Sequence, residues 1–286
     1  MKHYIHHGRH LLLLAVTSLL LAACGTTSTV PITGRKQTLL VDDAQVLSLS
    51  KQQYGEVLKT SKLSTNSTNT AMVKRVGQRL ATAVETYLRN NGAQQDLQYY
   101  EWEFNLLQNT QANAFCMPGG KIAVFEGMLP ITQDEASLAV VLGHEIAHAV
   151  AKHSAEQMSK QIRQQYGTQI VGNILSQTLG ANASSIGTAL AQTGFNFANL
   201  KYSREHENEA DRLGLIFSAM AGYDPNVALT FWQRMASSSK AKTSEIFSDH
   251  PSDATRIANL QKYIPEAMQY YKPATTTTKK TTTTKK

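Results

Sequence analysis

The stretch His144-Glu145-Ile146-Ala147-His148 decides how the rest of this 286-residue chain is interpreted. Positions i and i+4 of a helix lie on one face, so both imidazoles can point at one metal ion. Glu145 is rotated by about 100° from His144, which places its carboxylate beside that ion. This pattern is typical of a zinc site that has its own general base, here Glu145.

A catalytic zinc needs a third protein ligand. The stretch Glu207-Asn208-Glu209-Ala210-Asp211 lies downstream on a predicted helix. Glu207 is a candidate ligand, and Asp211, one turn later, can hydrogen-bond a ligand imidazole. Spacing alone leaves Glu205 and Glu209 as rivals of Glu207, although a solvated, charged helix face is the simpler interpretation of those two. Neighbouring histidines at other spacings are predicted not to be ligands: His153 and His206.

Helical periodicity dominates the body of the chain, and an alternating pattern over residues 100–106 predicts a strand. We therefore expect an α+β, mostly α-helical domain with a small β-sheet, built from residues 43–265. Residues 160–200 are rich in Gln, Ala, Ser and Gly and predict a mobile lid. Further segments are predicted as helices at 44–63, 69–90, 134–159, 204–221, 226–238 and 253–263, and as a strand at 121–125.

The two ends of the chain are predicted to lie outside this domain. Residues 1–23 carry two cations and an apolar stretch too short to span a bilayer, which predicts a signal peptide. Cys24, in the string Leu-Ala-Ala-Cys-Gly, resembles the acylated cysteine of a bacterial lipoprotein, and lipidation there would give a stable membrane anchor. Residues 24–42 are interpreted as a tether, and the Thr- and Lys-rich residues 266–286 as a disordered tail.

Charge and cysteine content exclude two classes of protein. Lys2 and Arg9 of the signal, with Lys279, Lys280, Lys285 and Lys286 at the C-terminus, account for most of the formal charge of +7, so the body is nearly neutral and gives no argument for nucleic-acid binding. Cys24 and Cys116 are the only cysteines. If Cys24 is lipidated, no intramolecular disulfide can form, and we expect Cys116 to be buried and free.

These motifs together resemble the gluzincin metallopeptidases grouped with the CAAX prenyl endopeptidase and the HtpX heat-shock protease, and most of all their soluble, lipoprotein-type bacterial members. The resemblance implies a zincin-like metallopeptidase domain with one zinc ion per chain. It spans about residues 30–265 and includes further strings: Thr33-Gly34-Arg35, Asn113-Ala114-Phe115, Pro118-Gly119-Gly120, and His250-Pro251 with Arg256-Ile257.

The resemblance also implies roles for individual residues. Glu207 becomes the third metal ligand and Asp211 its supporter. Three interpretations of His250 stay open: it stabilises the oxyanion, it closes the site as a fourth ligand, or it caps the helix after Pro251. Arg256 is left outside the predicted catalytic set. An edge strand bordering the active-site cleft, to which an extended peptide can add, is implied for Gly120, Lys121, Ile122, Ala123 and Val124.

We therefore predict a zinc endopeptidase with Glu145 and His250 as its catalytic residues. Its predicted substrates are misfolded or unassembled cell-envelope proteins, and its predicted location is the periplasmic face of a bacterial outer membrane, with the anchor at Cys24. The alternative is a gated, zinc-containing chaperone or assembly factor for outer-membrane proteins with little proteolysis. A purely structural zinc site is disfavoured, because such sites prefer cysteine and need no neighbouring acid.

Overall fold

Helices make up most of the fold. A computed structural model describes residues 26–166, 195–239 and 254–273, and this part of the chain confirms the expectation of a mostly helical α+β protein with little sheet. The strands are β1 (Thr26–Thr29), β2 (Lys36–Leu39), β3 (Glu103–Leu107), β4 (Ala114–Met117) and β5 (Lys121–Phe125). The helices are α1 (Asp43–Thr60), α2 (Ser67–Asn90), α3 (Leu129–Thr132), α4 (Glu135–Val150), α5 (His153–Tyr166), α6 (Arg204–Met220), α7 (Val227–Ser239) and α8 (Ala254–Ala267).

The three-stranded sheet corrects one prediction. Its order is β3-β5-β4, with β5 parallel to β3 and antiparallel to β4. Of the segment predicted as an edge strand, Gly120 to Val124, residues 121–124 therefore lie in the central strand of the described sheet instead. Its residues Ile122, Ala123 and Val124 are fully buried, as expected for a strand that is covered on both faces. In the described part of the chain, β4 is an edge of this sheet.

The predicted tether is also wrong for the residues that the structure describes. β1 and β2 form an antiparallel hairpin, and Val30, between them, is buried in the main hydrophobic core. The backbone of this connection turns through Gly34 at φ +70°, a left-handed conformation that suits glycine. The segment is thus part of the folded domain. Cys24 and the predicted signal lie outside the described residues.

A single long helix was predicted over residues 134–159, but the structure has two. Helix α4 ends at Val150, and α5 begins at His153. Lys152, between them, has a φ of +56°, which turns the chain and redirects α5. Its ammonium group is held by Asp43 at 2.7 Å. Because of this break, His153 begins a new helix instead of continuing α4.

Helix α4 crosses the middle of the molecule. Asp134 caps its first turn by accepting a hydrogen bond from the backbone N–H of Ser137 at 2.7 Å. Of its 16 residues, 13 are buried, so its apolar side chains contact other elements all round. It packs against α2, α6, α7 and β4. The candidate metal-binding residues therefore belong to the core.

The folded domain continues beyond residue 265, its predicted C-terminal boundary. Helix α8 continues to Ala267 and is followed by a 3₁₀ turn, Met268–Tyr270. Tyr270 and Tyr271 pack against the main core, so the predicted disordered tail is wrong for residues 266–271. Residues 274–286 of that tail and most of the predicted lid, 167–194, lie outside the described residues. Among those described, no helix is both long and apolar enough to cross a membrane.

Candidate metal centre

Three side chains converge between α4 and α6. Ligand atoms of His144, His148 and Glu207 all lie within 4.8 Å of one another. The two Nε2 atoms are 3.1 Å apart, and Glu207 oxygens lie 3.4 Å from His144 Nε2 and 3.5 Å from His148 Nε2. All three residues are at most 5% exposed. Two imidazoles and one carboxylate are the donor set of many catalytic zinc sites, so these residues fit a zinc ion.

The two helices can approach closely enough because glycines lie at their crossing. A Cβ at Gly214 would lie 2.7 Å from the backbone nitrogen of His144, and one at Gly143 would lie 2.7 Å from the carbonyl oxygen of Gly214. Both distances are shorter than side-chain contacts allow. The crossing thus places the first histidine of α4 directly over α6, two turns from Glu207.

Asp211 and Arg256 surround the outer side of His144. Asp211 Oδ1 lies 2.9 Å from His144 Nδ1, so it can orient the ring with Nε2 toward Glu207. Burial and the charge of Arg256 lower the pKa of His144, but hydrogen bonds to Asp211 and Glu207 outweigh them and raise it to about 9. A cation bound at Nε2 would therefore displace a proton.

Arg256 was left out of the predicted set, yet it is buried beside the site. It donates to Asp211 Oδ1 at 2.6 Å, and its Nη1 lies 3.5 Å from Glu207 Oε2. The guanidinium stacks over Trp232, with its carbon 3.5 Å from the ring centroid. The sequence did contain a signal for it, because Arg256 belongs to one of the strings that carried the family resemblance.

Glu145 is buried and belongs to α4, the helix that packs against β4. The thiol of Cys116, on β4, is free and buried, as predicted. Burial raises the pKa of this thiol well above its ordinary value, and the negative charge of Glu145 adds to the effect. The carboxylate thus lies close enough to β4, an edge of the sheet, to affect Cys116, and it directly follows the candidate ligand His144 in the sequence.

A second group of polar side chains lies behind His148. His148 Nδ1 is 2.9 Å from His153 Nδ1, and His153 Nε2 is 2.9 Å from Glu209 Oε2. His153 points away from the ion site, but it contacts a candidate ligand. Burial lowers the pKa of His153 to about 4 in spite of Glu209. Tyr202 stacks on the ring of His148, with centroids 4.0 Å apart.

The interpretation of Glu209 as a solvated carboxylate is wrong. Its side chain is 6% exposed and accepts hydrogen bonds from Thr33 and Arg35 as well as from His153. Burial alone would raise its pKa, but these donors outweigh burial and lower the pKa to about 2. Glu205 is exposed, as expected for a solvated helix face. His250 lies outside the described residues.

A helix-rich domain in which two histidines of one helix and a glutamate of another converge is typical of a zincin-like metallopeptidase. Residues 67–264 match the model of peptidase family M48. This match covers more than half of the chain, and the chain therefore belongs to peptidase family M48. The prediction is thus confirmed at the level of the peptidase family. The relatives of known name from Schizosaccharomyces pombe and Homo sapiens are both metalloendopeptidases.

Named relatives agree with this class. The chain is 39% identical over 170 residues to the mitochondrial metalloendopeptidase OMA1 of Schizosaccharomyces pombe, covering 58% of this chain and 48% of that protein. Its identity to the Homo sapiens metalloendopeptidase OMA1 is 32% over 251 residues, or 84% of this chain and 46% of the relative. The β-barrel assembly-enhancing protease of Yersinia pestis is 32% identical over 176 residues, covering 58% and 36%. The chain thus spans about half or less of these relatives.

The comparisons correct the predicted location. Relatives from yeasts, a plant and mammals are mitochondrial by name, with identities of up to 39%, whereas the relatives named for β-barrel assembly match at 32% and 30%. The prediction of the periplasmic face of a bacterial outer membrane is therefore wrong, since the similarity points to mitochondrial proteins. It had depended on residues 1–25, which lie outside the described part of the chain. The predicted subgroup with the CAAX prenyl endopeptidase and HtpX stays a prediction.

Proposed function

We propose that this chain is a zinc-dependent endopeptidase that cleaves unfolded or misassembled proteins. The observation that carries the proposal is the convergence of His144 and His148 from α4 with Glu207 from α6. Glu145, next to His144 in α4, is also buried. Zinc, when bound there, lowers the pKa of water and polarises the scissile carbonyl. Membership of a peptidase family supports the same chemistry.

In this proposal the protein side chains divide the work of peptide hydrolysis. Glu145 takes the proton of the attacking water and delivers it to the departing amine. His144, His148 and Glu207 hold the ion, and Asp211 keeps the His144 ring in the required orientation. In this proposal His250 would stabilise the oxyanion or close the site as a fourth ligand. The third interpretation, a cap of the helix after Pro251, would give it no part in the reaction.

We place the substrate along β4 rather than along the central strand. β4 is an edge of the described sheet and packs against the ligand-bearing helix. An extended peptide that pairs with such an edge is held mainly by main-chain hydrogen bonds, which favours unfolded chains and weak side-chain specificity. A peptide substrate in which the backbone amides that face β4 are N-methylated should therefore bind far more weakly. Equal cleavage of both peptides would exclude this binding mode.

The decisive change is Glu145→Gln, which removes the base but preserves the size of the side chain. We expect the purified variant to keep about one zinc ion per chain and to cleave an unstructured protein such as casein at least about 10²-fold more slowly. Metal content by elemental analysis and cleavage by gel quantification measure the two effects. The matched control is Glu205→Gln, on the exposed face of α6, which should change neither. Retained cleavage in Glu145→Gln would exclude Glu145 as the base.

A relative named for β-barrel assembly supports one further possibility, a gated assembly factor. Such a protein would protect a client chain from aggregation without Glu145. Light scattering of an aggregating client in the presence of Glu145→Gln distinguishes the two functions. Full protection together with no cleavage by the unaltered chain would favour the assembly factor.

Acylation of Cys24 stays a proposal from the sequence. An apolar stretch followed by Leu-Ala-Ala-Cys-Gly supports it. The intact mass of the protein isolated from its own cells tests it, since each acyl chain adds a fixed mass to a chain that begins at Cys24. A mature chain without added mass would exclude the anchor.

A further inference from the structure

A continuous series of hydrogen bonds connects a candidate metal ligand to the N-terminal hairpin. It starts at His148, whose Nδ1 contacts His153 Nδ1 at 2.9 Å. It continues from His153 Nε2 to Glu209 Oε2, also at 2.9 Å. Glu209 in turn accepts from Arg35 Nε at 2.8 Å and, through its other oxygen, from the Thr33 hydroxyl. The series therefore joins residues that are more than 100 positions apart in the sequence.

When His153 is neutral, these groups allow one arrangement of hydrogens. An ionised carboxylate only accepts hydrogen bonds, so the hydrogen of a neutral His153 must be on Nε2, facing Glu209. Nδ1 of His153 is then an acceptor and receives the Nδ1 hydrogen of His148. The lone pair of His148 is consequently on Nε2, the atom that faces His144 and Glu207. Each link fixes the tautomer of the next.

At the hairpin end of the series, Arg35 and the connection between β1 and β2 are fixed by further hydrogen bonds. Arg35 donates through Nη1 to Glu156 Oε2 at 2.9 Å, so one guanidinium joins carboxylates of α5 and α6. The connection closes on itself with backbone hydrogen bonds from Val30 to Arg35 at 2.8 Å and from Gly34 to Val30 at 3.0 Å. Arg35 is only partly exposed, at 20% of its side chain. Neither Thr33 nor Arg35 is among the residues that form the ion site.

We propose that Thr33 and Arg35 are positioning residues for the candidate metal site. They hold both oxygens of Glu209, Glu209 fixes the hydrogen on His153, and His153 orients His148 toward the ion. The inference depends on the proposed zinc site but not on peptidase activity. It assigns to the string Thr33-Gly34-Arg35 a role in metal affinity, although this string lies far from both metal motifs in the sequence.

The test measures zinc binding by the full chain with two changes, Thr33→Val and Arg35→Met. Loss of such outer hydrogen bonds commonly weakens metal affinity by about 10–100-fold. We expect a loss of this size in competition with a chromogenic chelator, and an altered visible absorption spectrum of the Co²⁺-substituted protein. A purely structural role would lower the melting temperature of the metal-free protein and leave the Co²⁺ spectrum unchanged.

Two further variants distinguish a specific loss of metal affinity from an effect of poor folding. Arg75→Met removes an exposed Arg–Glu pair, Arg75 with Glu135, that is not part of the series, and it should bind zinc as the unaltered chain does. His153→Phe keeps a ring of similar size and removes both nitrogens, so it should reproduce the weaker affinity even if the double variant folds poorly. Affinities within twofold of the unaltered chain in His153→Phe would overturn the proposal. Zinc binding by the unaltered chain without cleavage would contradict the proposed activity and leave this inference standing.

Discussion

Individual residues show where prediction from the sequence reaches its limit. The spacing of His144 and His148 predicts that they share one face of a helix, because that geometry is local. The environment of Glu209 is not local. Its burial depends on Thr33 and Arg35, which lie more than 170 positions earlier, and no pattern within α6 distinguishes Glu209 from the exposed Glu205. Burial of a charged side chain is decided by its partners.

The charge of Glu209 should also affect stability in acid. Its pKa is about 2 in the folded protein and about 4.5 for an ordinary glutamate, so it contributes stability above pH 4.5 that is lost as the pH falls toward 2. We expect urea unfolding of the metal-free protein to show this loss, and Glu209→Gln to reduce its slope over that range. Glu156, whose pKa is also lowered, should leave a residual slope.

Glu205→Gln is the control for this measurement, because its carboxylate is exposed. It should leave the dependence of the urea midpoint on pH unchanged. An identical slope in Glu209→Gln and in the unaltered protein would contradict the assigned hydrogen bonds.

At the level of helices and strands, periodic patterns predicted most elements and missed those that lack a period. β5 occupies the predicted residues, and α2 and α6 lie within two residues of their predicted bounds. β4 was missed because all four of its residues are buried, which leaves no alternation to detect. The break between α4 and α5 was missed because Lys152, an ordinary helix former, adopts a left-handed conformation that tertiary contacts impose.

The crossing of α4 and α6 gives a prediction for whole elements. In Gly214→Ala the new methyl group would meet the backbone of Gly143 and His144 at less than 3.0 Å, so the helices must move apart. We expect a loss of about 1–3 kcal/mol in the free energy of unfolding. Zinc affinity should fall as well, because the displaced backbone carries His144. Urea denaturation and chelator competition measure the two effects.

Gly55→Ala is the matched control for this variant. Gly55 lies within α1, and a Cβ there meets nothing within 4 Å. Alanine should stabilise that helix by about 0.5–1 kcal/mol, since glycine is the poorer helix former. Equal stability of Gly214→Ala and the unaltered chain would mean that the helices are not in contact at this point.

At the scale of the whole molecule, metal binding and folding should be linked, because α4 carries two candidate metal ligands and also forms part of the hydrophobic core. A ligand that binds only the folded state stabilises it in proportion to the logarithm of its concentration, by about 4 kcal/mol at a thousandfold excess over Kd. Removal of zinc with a chelator should therefore lower the melting temperature, and added zinc should restore it. Glu207→Ala should abolish the restoration. A melting temperature that does not respond to zinc in the unaltered protein would contradict a metal site within the core.

Helix α4 has one more consequence for a protein of this proposed function. With 13 of its 16 residues buried, its peptide bonds cannot extend along the sheet edge of a second molecule. A protease that requires extended chains would thus be unable to digest its own metal-binding helix while it is folded. Self-cleavage should be confined to exposed segments of the chain, and the centre that performs it should survive intact.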